Sequence, residues 1–354
     1  MGGPRPLGGD CAWRGAELEG DPRWRRRLTA SHLAELDAAL AHLKACRLAP
    51  EQVTRDDFPL PTVATELSSV LDELEHGCGM VHLSGFPVDR YGDADLRLAW
   101  IGLCSHMGDL RLQSRHGELL REIRDEGADR GERYGQLETG DDTFLSSRAR
   151  VASTGELRFH TDRADLVALL CVRPAKEGGL TRIASSVTVH DEMVRRRPDL
   201  AALLYQDIHR SRLGEEAGGE ATTFPLPVFD VHQGRFSSHY SRTYVEAAQL
   251  LSGVPKLTGA HWEALDLLAA LSEEFCLDVA FKPGDVQFLN SHVTYHSRTA
   301  YTDHAEPEMK RLLYRLWICP EDKRALSAGQ AVLWGNTAAR GLRGGIGQDP
   351  VNAT

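Results

Sequence analysis

The feature that most limits the fold is a change of pattern near the middle of the 354-residue chain. Before it, apolar residues recur at helical spacing; after it, short apolar runs alternate with turn residues. Leu33, Leu36, Leu40 and Leu43 form one stripe behind a cap at Thr29 or Ser31. Leu67, Val70, Leu71 and Leu74 form a second over Val63 to Glu75, with Gly77 just past its end. A third helix is expected over Asp93 to His106, and a short strand over Met80 to Phe86. In the second half, Thr181 to Val189, Val279 to Phe281, Val286 to Leu289, His292 to His296 and Leu312 to Ile318 read as strands. One amphipathic helix, Ala260 to Phe275, is inserted among them, and Lys282-Pro283-Gly284-Asp285 supplies a turn. Many strands with irregular insertions, beginning after helices, point to an α+β fold: a double-stranded β-helix (jelly-roll) core flanked by helices. A doubly wound sheet is disfavoured, and no Gly-x-Gly-x-x-Gly or Walker loop argues for one.

Residues 1–28, rich in Gly, Pro and charge, read as an N-terminal arm, 29–320 as a single domain and 321–354 as a C-terminal tail. Gln113 to Arg158 is charged and poorly periodic; its length predicts a functional loop or lid, in which Gln136, Glu138 and Arg148 are candidates to close over a site. Hydrophobic content of 42% excludes a disordered chain. A net charge of -10 argues against a general nucleic-acid binder and against anionic membrane surfaces. The seven cysteines are scattered without a Cys-x-x-Cys pair, so they read as reduced thiols, with no disulfide framework or zinc cluster. The longest apolar run, near Leu166 to Val172, is too short to span a bilayer, and the start Met1-Gly2-Gly3-Pro4-Arg5 leads into no signal-peptide core. A cytoplasmic protein with a small-molecule partner is expected, with no nucleic acid and no membrane partner; a homo-oligomer stays open.

A histidine and a carboxylate one residue apart, with a second histidine far downstream, are the pieces of a two-histidine, one-carboxylate face on iron, which leaves coordination positions open for oxygen. The pattern alone is weak. Five His-x-acid pairs occur, at His116, His160, His190, His261 and His304. Residues i and i+2 share a side only on extended backbone, so His261 and Glu263, in an expected helix, point apart. His116 and His304 lie in polar, loop-like sequence, and His190 ends an expected strand. His160 and Asp162 alone sit between an aromatic residue and a long apolar stretch. Downstream, His292 and His296 both qualify as the second imidazole.

The segment Lys282 to Arg298, with its Pro-Gly-Asp turn, Asn290 and terminal His296, resembles the second ligand strand of the taurine dioxygenase-like (TauD/TfdA) family of Fe(II)/2-oxoglutarate oxygenases, which share a clavaminate synthase-like fold. His160-Thr161-Asp162 and the turn Gly178-Gly179-Leu180-Thr181 resemble the same family's first ligand pair and the turn after it. The likeness runs from about Gly77 to Ile318. It implies that His160, Asp162 and His296 bind Fe(II), and it favours His296 over His292. Lys310 to Arg315 is similar to the family's arginine strand, although the interval from His296 to Arg311 is slightly longer than its commonest spacing. By that likeness Arg311, helped by Thr181, pairs with the far carboxylate of 2-oxoglutarate, for which a planar guanidinium is well shaped. Arg315, on the same face of the strand, lies near the substrate.

The resemblance implies a dioxygenase that takes O2, hydroxylates a substrate and releases succinate and CO2. Asp162 stands where halogenating relatives carry a small residue, which favours hydroxylation; desaturation and ring closure stay open. Arg315, Arg298, Tyr240 and Arg242 are the candidate substrate contacts, and buried arginines suit a small carboxylate- or amino-acid-like anion. Two other classes compete: a metal-dependent barrel oxygenase that does not use 2-oxoglutarate, which would not need Arg311, and a catalytically silent binding relative, which would not need the three ligands.

Overall fold

The computed structural model describes residues 3–140 and 142–347. Eleven strands build its two principal sheets: Arg25–Arg27 (β1), Met80–Ser84 (β2), Asp109–Arg111 (β3), Arg121–Ile123 (β4), Leu157–His160 (β5), Leu166–Arg173 (β6), Thr181–Ser185 (β7), Leu277–Val279 (β8), Val286–Asn290 (β9), Thr294–Arg298 (β10) and Leu312–Cys319 (β11). The larger sheet runs β1-β2-β9-β6-β11-β3, with β4 also on β11; the smaller runs β8-β7-β10-β5. Every pairing is antiparallel except that of β1 with β2.

Period-two alternation explains how the sheets stack. On β6, Val167, Leu169 and Cys171 join Leu157, Ile183 and Leu277 of the smaller sheet in one apolar cluster, so the two sheets face each other there. The intervening Leu166, Ala168 and Leu170 face outward to helices Ala30–Cys46, Val63–His76 and Asp93–Ser105, where Leu36, Leu67 and Trp100 cover them. Helices Ser186–Arg196 and Gly259–Phe275 cover the outer face of the smaller sheet through Val189, Met193, Leu265 and Leu268. Each fully buried side chain of this size contributes roughly 1.5–3 kcal/mol.

The expected helices form, and Thr29 caps the first by accepting from the His32 N–H. The expected strand Thr181 to Val189 stops at Ser185, whose hydroxyl accepts the Thr188 N–H and starts a helix; a serine cap here outweighs the β-branched residues after it. Likewise His292 is not in a strand: its N–H goes to the Asn290 side chain at 3.0 Å, closing a turn before β10 begins at Thr294. The strand expected at Val279 to Phe281 lies two residues earlier, at Leu277–Val279.

Both chain ends are packed where they are described. Trp13 and Trp24 are buried, Trp13 donating to the Cys78 carbonyl at 2.7 Å, and the segment read as an arm ends as β1. The segment read as a tail places Leu326, Leu333 and Trp334 against Phe224 and Leu226. The region Gln113 to Arg158 is built rather than loose: it holds β4, a hairpin of Gln136–Thr139 and Asp142–Leu145, and the short helices Arg130–Tyr134 and Ser147–Val151. All seven cysteines are free, and among the described residues no helix is long and apolar enough to cross a membrane.

Candidate active site

His160 ends β5 and His296 sits directly opposite it on β10. The ladder therefore sets the two imidazoles side by side, ring centroids 4.2 Å apart. Asp162 follows just beyond the strand end. Thr161, between the two, is pinned by a backbone donation to the Tyr240 carbonyl at 2.8 Å and accepts the Tyr240 N–H on its hydroxyl at 3.1 Å. The carboxylate is thereby held 4.0 Å from His160 Nε2 and 3.9 Å from His296 Nε2. All three donor atoms lie within 4.8 Å of one another, and this is the sole such His/Cys/Asp/Glu group of three or more among the described residues. His190 lies instead inside a helix, bonded to Asp191 and Tyr205, and His292 bonds Asp165.

The protonation states suit a cation. Nδ1 of His160 is 2.9 Å from the Arg158 carbonyl, so that nitrogen carries the proton and the Nε2 lone pair faces the centre. Burial lowers the pKa of His160 and pushes His296 down to about 3, so both rings are neutral. Burial opposes ionisation of Asp162, but the Arg315 guanidinium outweighs it and holds the carboxyl below its usual range. Arg315 donates through Nη1 to both Asp162 oxygens and through Nε to Gln113 Oε1 at 2.7 Å. Two neutral imidazoles and one ionised carboxylate, buried and converging, fit divalent iron.

His160 and Arg315 line two clefts beside this centre. The first, about 440 Å³ including its mouth, brings together His296, Thr181, Arg298 and Arg311 between the apolar walls of Leu157, Leu169 and Leu313. Arg311 is buried, with its guanidinium 5.1 Å from the Tyr301 ring centre and 3.5 Å from the Ile123 carbonyl, and no carboxylate pairs with it among the described residues. Its backbone N–H is fixed by Asp303 at 2.7 Å, which anchors the longer loop after His296. Thr181 stands opposite Arg298 in register. Arg298, expected at the substrate, lines this cleft and donates to the carbonyls of Val151 at 3.3 Å, Ser153 at 2.6 Å and Gly155 at 2.5 Å.

The second cleft, about 580 Å³ including its mouth, opens beside Asp162 and is lined by Arg121, Arg148, Arg163 and Arg212 together with Glu215 and Tyr244. Tyr240 and Arg242 do not reach it. The Tyr240 ring packs 5.5 Å from that of Tyr295, and Arg242 is held by Glu246 at 3.0 Å and Asp266 at 2.7 Å. Their neighbours His239 and Tyr244 line the cleft. The strand Arg235–Ser238 ends and helix Arg242–Leu250 begins within it, and no single periodicity spans that switch. Gln136 and Glu138 are bonded to each other at 3.0 Å on the hairpin, away from the cleft, while Arg148 does line it. Burial raises the Glu215 carboxyl, against the opposing bond from the Tyr244 hydroxyl. Arg163 was legible as the neighbour of Asp162; Arg121 and Arg212 carry no motif.

The protein family described as taurine catabolism dioxygenase TauD, TfdA family matches residues 31–317. FR-33289 synthase of Streptomyces rubellomurinus (strain ATCC 31215) is 27% identical over 342 residues, covering 95% of this chain and 97% of the relative. Among solved structures, asparagine oxygenase in complex with Fe(II), 2S,3S-3-hydroxyasparagine and succinate is similar at a TM-score of 0.63 and 18% identity, covering 84% of this chain and 93% of that one. The non-heme iron oxygenase OrfP in complex with Fe and alpha-ketoglutaric acid aligns at a TM-score of 0.59 and 16% identity, over 83% and 93% of the two chains.

Proposed function

The chain belongs to the taurine catabolism dioxygenase TauD, TfdA family of iron- and 2-oxoglutarate-dependent oxygenases, and we propose that it hydroxylates a small anionic substrate of the carboxylate or amino-acid type. The observation that carries this reading is the juxtaposition of the His160, Asp162 and His296 cluster with a buried, carboxylate-free Arg311 in one cleft. An oxygenase without 2-oxoglutarate would have no use for that guanidinium, and a silent relative no use for three converging donors. The two stacked, mainly antiparallel sheets support reading the core as a jelly roll. Free thiols throughout support a cytoplasmic location.

His160, Asp162 and His296 would hold the iron; with 2-oxoglutarate bound, iron supplies oxygen activation for insertion into a C–H bond, and the co-substrate leaves as succinate and CO2. The protein's own work is positional. Arg311 presents a fork to the far carboxylate, and the Thr181 hydroxyl adds a donor. Leu157, Leu169 and Leu313 keep that cleft dry, which strengthens the ion pair. Arg315 keeps Asp162 ionised and aimed. The arginines of the second cleft attract and orient the anionic substrate, and Arg298 ties the covering segment to β10.

Anaerobic addition of Fe(II) and 2-oxoglutarate to the metal-free protein should give the weak visible charge-transfer band of the chelate. An Asp162→Ala, His296→Ala double variant should not give it. Absence of the band in the wild type, or an undiminished band in the double variant, sinks the proposal. Succinate release in a screen of small carboxylates and amino acids then addresses the substrate.

A further inference from the structure

Resting on the reading of the first cleft as the co-substrate site, we propose that 2-oxoglutarate enters and succinate leaves through a third cleft, which shares Arg311 with the first, and that the Arg311 guanidinium is the gate between them. No residue lining the first cleft is more than 9% exposed, so a ligand reaches it through a neighbouring space. The second cleft adjoins it at Val151, His160 and Arg315. That way runs beside the His160, Asp162 and His296 cluster, and a substrate seated in the second cleft closes it. A separate opening frees exchange of the dicarboxylate from the presence of substrate.

The third cleft, about 530 Å³ including its mouth, is lined by Ala175, Lys176, Glu177 and Ala280 and has Arg311 and Leu313 in common with the first. Lys176, Glu177 and Ala280 are exposed, so this space opens to solvent. Gly178 and Gly179, also in its wall, both lie at positive φ, 73° and 67°, in the turn before β7. A Cβ on Gly179 would stand 3.5 Å from Arg311 Nε. The turn therefore passes the guanidinium without a side chain to wedge it in place.

Arg311 is loosely held where it stands. Its bond to the Ile123 carbonyl is 3.5 Å long, whereas Arg315 reaches Gln113 at 2.7 Å and Arg298 reaches the Ser153 carbonyl at 2.6 Å. Beside it lie two buried acceptors with no hydrogen-bond partner among the described residues, the Tyr301 hydroxyl and Asp303 Oδ2. The Tyr301 ring centre is 5.1 Å from the guanidinium, and the other oxygen of Asp303 accepts the Arg311 backbone N–H at 2.7 Å. Tyr301 also pairs with Gly178, so these acceptors belong to the wall of the third cleft. Buried acceptors without donors are costly, and this pair offers the guanidinium a second resting place. Turned onto Asp303 and Tyr301, Arg311 opens the partition between the two clefts; turned back, it meets the far carboxylate of the co-substrate. A carboxylate partner at both ends of the swing keeps the two positions close in free energy.

Anaerobic stopped-flow mixing of the Fe(II)-loaded protein with a range of 2-oxoglutarate concentrations, followed at the visible band, gives both the association and the dissociation rate. Asp303→Asn keeps an oxygen for the Arg311 N–H but puts a donor in place of Oδ2. Both of its rates should fall by about tenfold while the Kd stays within about threefold. Ala280→Trp, at an exposed position of the third cleft, should slow both rates by at least about fivefold at unchanged Kd, and Ser147→Trp, in the second cleft, should slow neither. Thermal unfolding checks each fold, and either of the first two variants decides alone if the other does not fold. A change in Kd without matched slowing of both rates, as a merely structural support of Arg311 would give, overturns the inference. So do rates unchanged in Asp303→Asn and Ala280→Trp, or slowing by Ser147→Trp alone. With the wild-type band present, such a result leaves the co-substrate reading standing; a wild type without the band removes that reading and the gate together.

Discussion

The guanidinium of Arg315 donates to both carboxylate oxygens of Asp162, at 3.1 and 3.2 Å. The residue expected to touch substrate is therefore, first, the group that orients the carboxylate of the His160, Asp162 and His296 cluster. Such outer contacts typically contribute 10- to 100-fold to metal affinity. Arg315→Gln should weaken Fe(II) binding by about that factor, measured by metal titration under anaerobic conditions. Unchanged affinity would reduce Arg315 to a substrate contact alone.

Arg311 lines the cleft beside His160 and His296, buried and, among the described residues, without a carboxylate partner. Charge-assisted hydrogen bonds contribute about 1.5–3 kcal/mol, so Arg311→Met should raise the Kd for 2-oxoglutarate by roughly 10- to 150-fold. Fe(II) affinity in the absence of the co-substrate should not move, because no metal-ligand atom contacts Arg311. Thr181→Val should give a smaller rise, of about two- to tenfold. Titration of the visible band with 2-oxoglutarate measures both.

Arg298 joins β10 to the end of the segment that covers the site, through the carbonyls of Val151, Ser153 and Gly155. Arg298→Met removes three donations at once and leaves buried acceptors behind. A loss of about 2–4 kcal/mol is expected in urea unfolding at neutral pH. A substrate-contact role would instead leave stability unchanged and raise only the KM for substrate.

How much of this was legible depended on whether a residue's partner lay near it in the chain. Helices with a clear stripe and a cap, such as Ala30–Cys46 behind Thr29, were readable because their determinants are local. His160, Asp162 and His296 were found by their motif, and strand register then explains their convergence. Tyr240 lies outside the cleft lining because strand gives way to helix between Ser238 and Arg242, and the side of a residue depends on where that switch falls. Arg121 was invisible because its meaning comes from Arg315, almost two hundred positions away and brought opposite it only by the pairing of β4 with β11. The packed ends were missed for a similar reason: the aromatic anchors Trp13 and Trp334 are single residues in sequence rich in Gly and charge.

Asp165 ties the C-terminal segment to the site region. Its buried carboxylate accepts from Arg343 at 2.5 and 2.9 Å and from His292 at 2.8 Å, while the Leu333 carbonyl accepts from Arg163 of the second cleft at 3.0 Å. Burial opposes the charge on Asp165, but His292 and then Arg343 outweigh it, and the carboxyl is held down to about 2. Its folded pKa thus lies below the unfolded value of about 3.9, so its contribution is complete above about pH 4 and is lost as the pH falls toward 2; the linkage is on the order of 2–3 kcal/mol. Burial also lowers His292, which adds a loss of stability on acidification below its ordinary value of about 6.5. At neutral pH, Asp165→Asn strands the Arg343 charge in the interior and should cost about 3–5 kcal/mol. The gap between wild type and variant in urea unfolding should narrow between about pH 4 and pH 2, because protonation then removes the same charge from the wild type. A gap that stays constant down to about pH 2.5 would mean that Asp165 acts through shape rather than through its ionised carboxylate.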